Sequence, residues 1–236
     1  RFHLELGRQV LRVNLRGAGS SSSTCSDYYH SGRGGDVAAV LDCLDETIVR
    51  RGIFVIGFSL GGNILINYLA RQRTHPRIVG AATVSAPILP VQAAKKLMKR
   101  RNTIYHSWLL SRMKKECLGL KGRLSPGEVS AITNARTIYQ FDNDFIAPRN
   151  GFTDAEDYYE KTAGANLVSE IAIPTLMIHA EDDPWIPALP YHRLIKDSGE
   201  NIEVVLAPSG GHVGFHARGS KKTWHDRVIQ KFVERI

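Results

Sequence analysis

The stretch from Ile53 to Arg71 constrains the fold more than any other part of the chain. Ile53–Gly57 is a compact apolar run, too short for a helix and bounded by glycine, so it reads as a buried strand. Leu60–Arg71 follows at once and places Leu60, Ile64, Leu65, Tyr68 and Leu69 on one helical face. Between them lies Gly57-Phe58-Ser59-Leu60-Gly61, a G-x-S-x-G sequence. A serine held between a buried strand and an amphipathic helix sits on a sharp turn with a strained backbone. Gly57 and Gly61 carry no Cβ, so neighbouring backbone can pass close to the turn, and Gly62 adds room. The plain alternative is an ordinary glycine-rich turn. Three fixed positions in five recur by chance, and the weight rests on the flanking strand and helix.

The rest of the chain alternates in the same way. Val10–Leu15, Ile78–Ser85, Pro174–Ala180 and Asn201–Ala207 read as strands, and Asp36–Arg50, Ala188–Ser198 and Ser220–Ile236 as helices. Strands alternating with helices predict an α/β fold, with a mostly parallel sheet covered by helices on both faces. Residues 91–165 break the rhythm: they are helical in pieces and polar overall. They read as an inserted helical cap within a core formed by residues 1–90 and 166–236. A length of 236 residues with 43% hydrophobic content fits one elaborated domain.

A serine hydroxyl is a poor nucleophile at neutral pH; it needs a histidine base, and the histidine a carboxylate to hold its tautomer. The helix that starts at Leu60 would present its first amides and its positive dipole end beside the Ser59 oxygen, with the Leu60 N–H as the expected oxyanion-hole donor. For the acid, Asp183 follows the strand Pro174–His179 in a loop that runs Glu181-Asp182-Asp183-Pro184. Asp183 is preferred because it immediately precedes a rigid proline and stands four residues before Pro187. Asp182 is its rival, and a merely solvated acidic loop the plain alternative. For the base, His212 lies in Gly210-Gly211-His212-Val213-Gly214 after the last strand, where the glycines let the chain bend back over the sheet. His216 is the nearest rival, and His179 reads as a core histidine. His192 and Asp197 match an H-x-x-x-x-D acyltransferase pattern too loose to carry weight. Such chemistry calls for no metal and no organic cofactor.

These residues resemble the YheT-like branch of the α/β hydrolases, which includes the abhydrolase-domain type 1 and type 3 proteins. The resemblance rests on Asn14–Gly17, Tyr29-His30-Ser31-Gly32, the run GFSLGGN at Gly57–Asn63, Phe141-Asp142, Ala147-Pro148, Gly151-Phe152, Asp154-Ala155, Asp157-Tyr158-Tyr159, Ala180–Pro187 and Gly210–Phe215. It implies the α/β-hydrolase fold and a carboxylesterase or lipase-like enzyme acting on acyl esters, with Ser59, Asp183 and His212 as the triad. Some relatives act on phospholipids, and some transfer acyl groups to alcohols. One departure stands out. In this fold three strands precede the element at Val10–Leu15, and the third leads into the loop that gives the second oxyanion N–H. The expectation is therefore a chain lacking those N-terminal strands, with weak or no activity, since removal of one such donor costs roughly 10²–10³ in rate. A non-catalytic scaffold is the reading from a different class.

Charge is concentrated. Ten basic residues, among them Lys95, Lys99, Arg100, Arg101 and Arg112, lie between Val91 and Arg123 against one acid, Glu116, in a chain of net charge +8. They interleave with Leu97, Met98, Tyr105, Trp108, Leu109, Leu110 and Met113. One reading of that pattern is contact with an anionic membrane surface or acidic substrate. A solvated cap whose apolar stripe packs on the core is the plain alternative, and no motif calls for nucleic acid. Cys25, Cys43 and Cys117 are sparse and without metal spacing, as in a reducing, cytoplasmic setting. Membrane association would follow if preceding residues carry an anchor.

Overall fold

The computed structural model describes residues 2–120, 123–197, 199–216, 218–220 and 222–236. Lys121, Ser198 and Lys221, which fall within segments read above, lie outside them.

Among the described residues, four strands form one all-parallel sheet: β1 (Ile53–Phe58), β2 (Ile78–Val84), β3 (Thr175–Ala180) and β4 (Ile202–Ala207), paired in that order. The register sets Gly57 beside Thr83 and Val84 beside Ile178. Because side chains alternate along a strand, each face of the sheet collects its own set. Ala81 and Met177 pack with Leu65, Ile66 and Leu69 of the helix Leu60–Arg71 and with Tyr191 and Leu194 of the helix Leu189–Asp197. Ala82, Val84, Leu176 and Ile178 pack with Ile229 and Phe232 of the C-terminal helix Trp224–Val233. Both faces are thus covered, as apolar strands in a parallel sheet require.

The chain between β2 and β3 is helical, including Pro90–Leu97, Thr103–Leu118, Pro126–Asn134 and Ala155–Lys161. It has a core of its own, in which Leu110, Cys117, Ile132, Phe141 and Phe145 pack with Tyr158, Tyr159 and Tyr28. The segment is pinned to the sheet layer by Asn63. The Asn63 side-chain amide donates to Thr162 O (2.8 Å), and its oxygen accepts the Gly164 N–H (3.1 Å). The Tyr158 hydroxyl accepts the Ser31 N–H at 2.9 Å. Three of the motifs that carry the family resemblance therefore meet at one buried joint.

Three sequence expectations change. Val10–Leu15 forms no strand; Val10, Leu11 and Val13 are exposed. A β-branched run becomes a strand by pairing its amides, and among the described residues this segment pairs with no strand of the sheet. The helix expected over Asp36–Arg50 splits into Gly34–Asp42 and a short turn at Glu46–Val49. Asp45 causes the break, because its carboxylate accepts the Thr47 N–H at 2.8 Å and caps the second piece. The last helix spans Trp224–Val233 rather than Ser220–Ile236, with Thr223 at its N-cap and donating to Asp226 at 2.6 Å.

Candidate active site

Ser59 follows β1 directly and precedes the helix Leu60–Arg71 with φ 47° and ψ −124°. This is a left-handed conformation that side chains rarely adopt. The turn is held from outside: Ser59 N donates to Val84 O at 2.8 Å, and Gly62 N to Ser59 O at 2.9 Å. The glycines divide the work differently from the expectation. A Cβ on Gly57 would lie 2.6 Å from Gly61 O and 2.7 Å from Gly62 Cα, and one on Gly62 would lie 2.7 Å from Ala86 Cβ. A Cβ on Gly61 would meet nothing within 4 Å. Close approach therefore demands glycine at 57 and 62, not at 61.

The predicted partners converge on this serine. His212 Nε2 lies 2.8 Å from Ser59 Oγ, and His212 Nδ1 lies 2.9 Å from Asp183 Oδ2. The second carboxylate oxygen, Asp183 Oδ1, accepts the N–H groups of Trp185 (2.8 Å) and Ile186 (2.9 Å). Asp183 is buried and the His212 side chain nearly so. Leu60 is the first residue of its helix, so its N–H is among the amides that have no partner within the helix.

The rivals find other places. Asp182 Oδ1 accepts the N–H groups of Gly210 and Gly211, both at 2.8 Å, and so fastens the loop that carries His212. The two neighbouring acids are thus divided: one accepts from the imidazole and the other holds its loop. Sequence reasoning weighed Asp182 only as a competitor; the two glycines immediately before His212 were the available signal for a backbone-binding carboxylate. His179 is buried, its ring stacked on Tyr191 with centroids 4.2 Å apart, and burial pushes its imidazole down to about 4. A neutral ring therefore stands 4.0 Å from Asp183. His216 is exposed, and His192 pairs with Glu181 at 2.8 Å.

Strain gathers at the same place. Among the described residues the non-glycine positions with positive φ are Ser59, Ser85, Val213 and Phe215, and all follow the carboxyl ends of β1, β2 or β4. Such conformations cost roughly 1–3 kcal/mol each and persist only where surrounding contacts impose them. Ser85, unremarked in the sequence, helps impose one, since its hydroxyl accepts the Val213 N–H at 3.3 Å.

A parallel sheet covered on both faces, with serine on a strand-to-helix elbow and the acid and histidine on two later loops, has the build of an α/β hydrolase. The chain belongs to the alpha/beta hydrolase fold family, whose model matches residues 3–218. It is 30% identical over 210 residues to YheT of Escherichia coli (strain K12), covering 86% of this chain and 60% of that protein. It is 27% identical to a monoacylglycerol lipase of Saccharomyces cerevisiae, covering 94% of this chain and 51% of the relative. With the mouse phospholipase ABHD3 it shares 25% identity, over 98% of this chain and 57% of the relative. The chain thus spans between half and three-fifths of the length of these relatives. Among solved structures, the Pyrococcus furiosus esterase Pf2001 superposes with a TM-score of 0.60 at 18% identity, over 99% of this chain and 73% of the other. That likeness is one of fold.

Proposed function

We propose that this chain carries the catalytic residues of a serine hydrolase that cleaves carboxylic esters of lipid-like substrates. The observation that carries the reading is the hydrogen-bonded series from Ser59 Oγ through His212 to Asp183, set on a strained elbow. Ser59 attacks the ester carbonyl while His212 Nε2 takes its proton. Asp183 holds the imidazole tautomer and stabilises the imidazolium. The Leu60 N–H faces the developing oxyanion. The alcohol leaves with the proton from His212, an acyl-enzyme remains, and water attacks it with His212 again as base. Transfer of the acyl group to an alcohol differs only in what takes the place of water.

Residues 91–165 act in this proposal as a cap over the core of residues 1–90 and 166–236, which accounts for their separate buried cluster. The cap also supplies the contact with lipid. Ile104 and Trp108 are 89% and 55% exposed and share one stripe of Thr103–Leu118 with Arg112, whose guanidinium lies 5.9 Å from the Trp108 ring. Lys95, Lys99, Arg100 and Arg101 are exposed nearby in sequence. Leu97, Leu109, Leu110 and Met113 pack on the buried cluster of this segment, as the alternative reading expects, and it is the exposed pair Ile104 and Trp108 with its basic surround that supports contact with an anionic membrane surface. Among the described residues no helix is long and apolar enough to cross a membrane. The free cysteines favour the cytoplasmic side.

Hydrolysis of monoacylglycerols and of p-nitrophenyl esters of graded chain length tests the reading, with and without anionic vesicles. Ser59-dependent turnover that vesicles raise is expected. Turnover that survives Ser59→Ala refutes the assignment.

A further inference from the structure

The loop that carries Asp183 has polar groups facing two ways. Its amides turn inward: the N–H groups of Trp185 and Ile186 both bind Asp183 Oδ1. Its carbonyls turn outward, toward the helical segment between β2 and β3. Lys96 Nζ donates to Asp183 O at 2.7 Å and to Ile186 O at 3.1 Å. The buried Asn102 side chain donates to Pro184 O at 3.0 Å and, at the same distance, to Lys96 O, so it grips the loop and the backbone of Lys96 together. The one remaining residue of the turn, Trp185, is held by its ring. Tyr105 stacks on it with centroids 3.7 Å apart and planes 9° from parallel, and Trp185 in turn lies 4.6 Å from the His212 ring. All four consecutive residues, Asp183 to Ile186, are therefore held by three side chains from residues 96–105.

We infer that Lys96 and Asn102 are positioning residues for the Ser59–His212–Asp183 series: they fix the loop from outside so that the Asp183 carboxylate meets His212 Nδ1. The inference rests on the triad reading and adds to it a dependence on the helical segment. Its physical ground is that neither end of the loop holds the carboxylate alone. Oδ1 is fixed by two amides; that of Trp185 shares its peptide unit with the Pro184 carbonyl that Asn102 binds, while Lys96 binds the carbonyls of Asp183 and Ile186 and so ties together the two ends of the turn that carries both amides. Freeing those carbonyls lets the peptide planes rotate, and the carboxylate follows. A cation suits the task because a charged donor makes shorter and stronger hydrogen bonds than a neutral one. Burial and the neighbouring Arg101 and Lys99 pull the Lys96 ammonium below its usual value, while Asp183 opposes them.

The test uses the full chain with Lys96→Met, Lys96→Arg and Asn102→Ala, each checked for a wild-type melting profile. The first measurement is the far-downfield proton resonance of His212 Nδ1–H, identified by its loss in His212→Ala, which reports the His212–Asp183 hydrogen bond without any turnover. The second is p-nitrophenyl butyrate hydrolysis resolved into kcat and KM. Lys96→Met should broaden or abolish the resonance and lower kcat about 10–100-fold with KM within about twofold, the scale of a small misplacement at a reacting centre. Asn102→Ala should act in the same direction. Lys96→Arg, which still offers a charged donor, should restore most of both. A Lys96→Met protein that is folded, keeps the wild-type resonance and keeps its kcat overturns the inference. So does a Lys96→Arg protein as impaired as Lys96→Met. If the wild-type chain shows the resonance but no Ser59-dependent turnover, the triad reading fails, and the resonance in Lys96→Met still decides whether the loop is held from the helical segment.

Discussion

Beneath Ser59, strands β2 and β3 bury mostly small and aliphatic side chains, such as Ala81, Ala82, Val84, Leu176 and Ile178. The helical segment between these strands buries a different mixture. Asp142 is enclosed there with the Tyr159 hydroxyl donating to it at 2.6 Å, Tyr28 donates to Glu116 at 3.0 Å, and Cys117 is fully buried. The sheet places its chemistry by backbone: elbow, strained loops and amides bound by Asp182 and Asp183. The segment is organised by buried polar side chains and reaches the site through Lys96, Asn102 and Tyr105. Changes in the first region should act on reactivity, and most changes in the second on stability and its pH dependence.

The largest effect expected is in the sheet region. Asp183→Asn keeps the shape but leaves His212 without the anion that fixes its tautomer, and kcat should fall about 10⁴-fold with little change in melting temperature. Its neighbour sharpens the contrast: Asp182→Ala frees Gly210 and Gly211 and should lower kcat up to about 10²-fold through misplacement of His212. Steady-state kinetics on both variants checks the division of labour. Equal losses would erase it.

The elbow gives the next effect. Gly57→Ala forces a Cβ into Gly61 O and Gly62 Cα and should destabilise the fold by roughly 1–3 kcal/mol, the usual scale of overpacking. Gly61→Ala points into open space and should stay within about 0.5 kcal/mol of wild type. Urea unfolding of the pair measures this directly.

The smallest effect belongs to the helical segment. Burial pushes the Asp142 carboxyl up to about 7, although its bond from Tyr159 opposes the rise. Below the ordinary value of 3.8 the group is protonated whether folded or unfolded. Between there and about 7 the unfolded chain releases the proton while the folded chain retains it, so this group lowers stability as pH rises through that window. Buried His30 and His179, both held down to about 4, act in the opposite sense as pH rises toward 6.5. Asp142→Asn leaves the histidines in place, so it should gain on wild type steadily from pH 4 to 7 in melting temperature. A constant difference across that range would mean that Asp142 is ionised in the fold.

Much of the sheet region was legible because its signals are local. The strand, elbow and helix around Ser59 lie within twenty residues, and Asp183 and His212 follow strands that announce themselves by apolar runs. Val10–Leu15 was misread because its composition suits a strand while pairing depends on a neighbour that sequence does not show. Asp36–Arg50 was misread because one capping residue, Asp45, outweighs helical spacing. The grip of Lys96 and Asn102 on the Asp183 loop could not be read at all, since it joins residues more than eighty apart. It binds carbonyls, which every residue carries and none advertises.

The central claim is that Ser59 is a nucleophile activated by His212. A biotinylated fluorophosphonate, which reacts with activated serines, tests it most directly, with the adduct located by peptide mass spectrometry. One adduct on Ser59 is predicted, absent in Ser59→Ala and strongly slowed in His212→Ala. A folded wild-type chain that takes no label, or one that labels equally well without His212, would contradict the account.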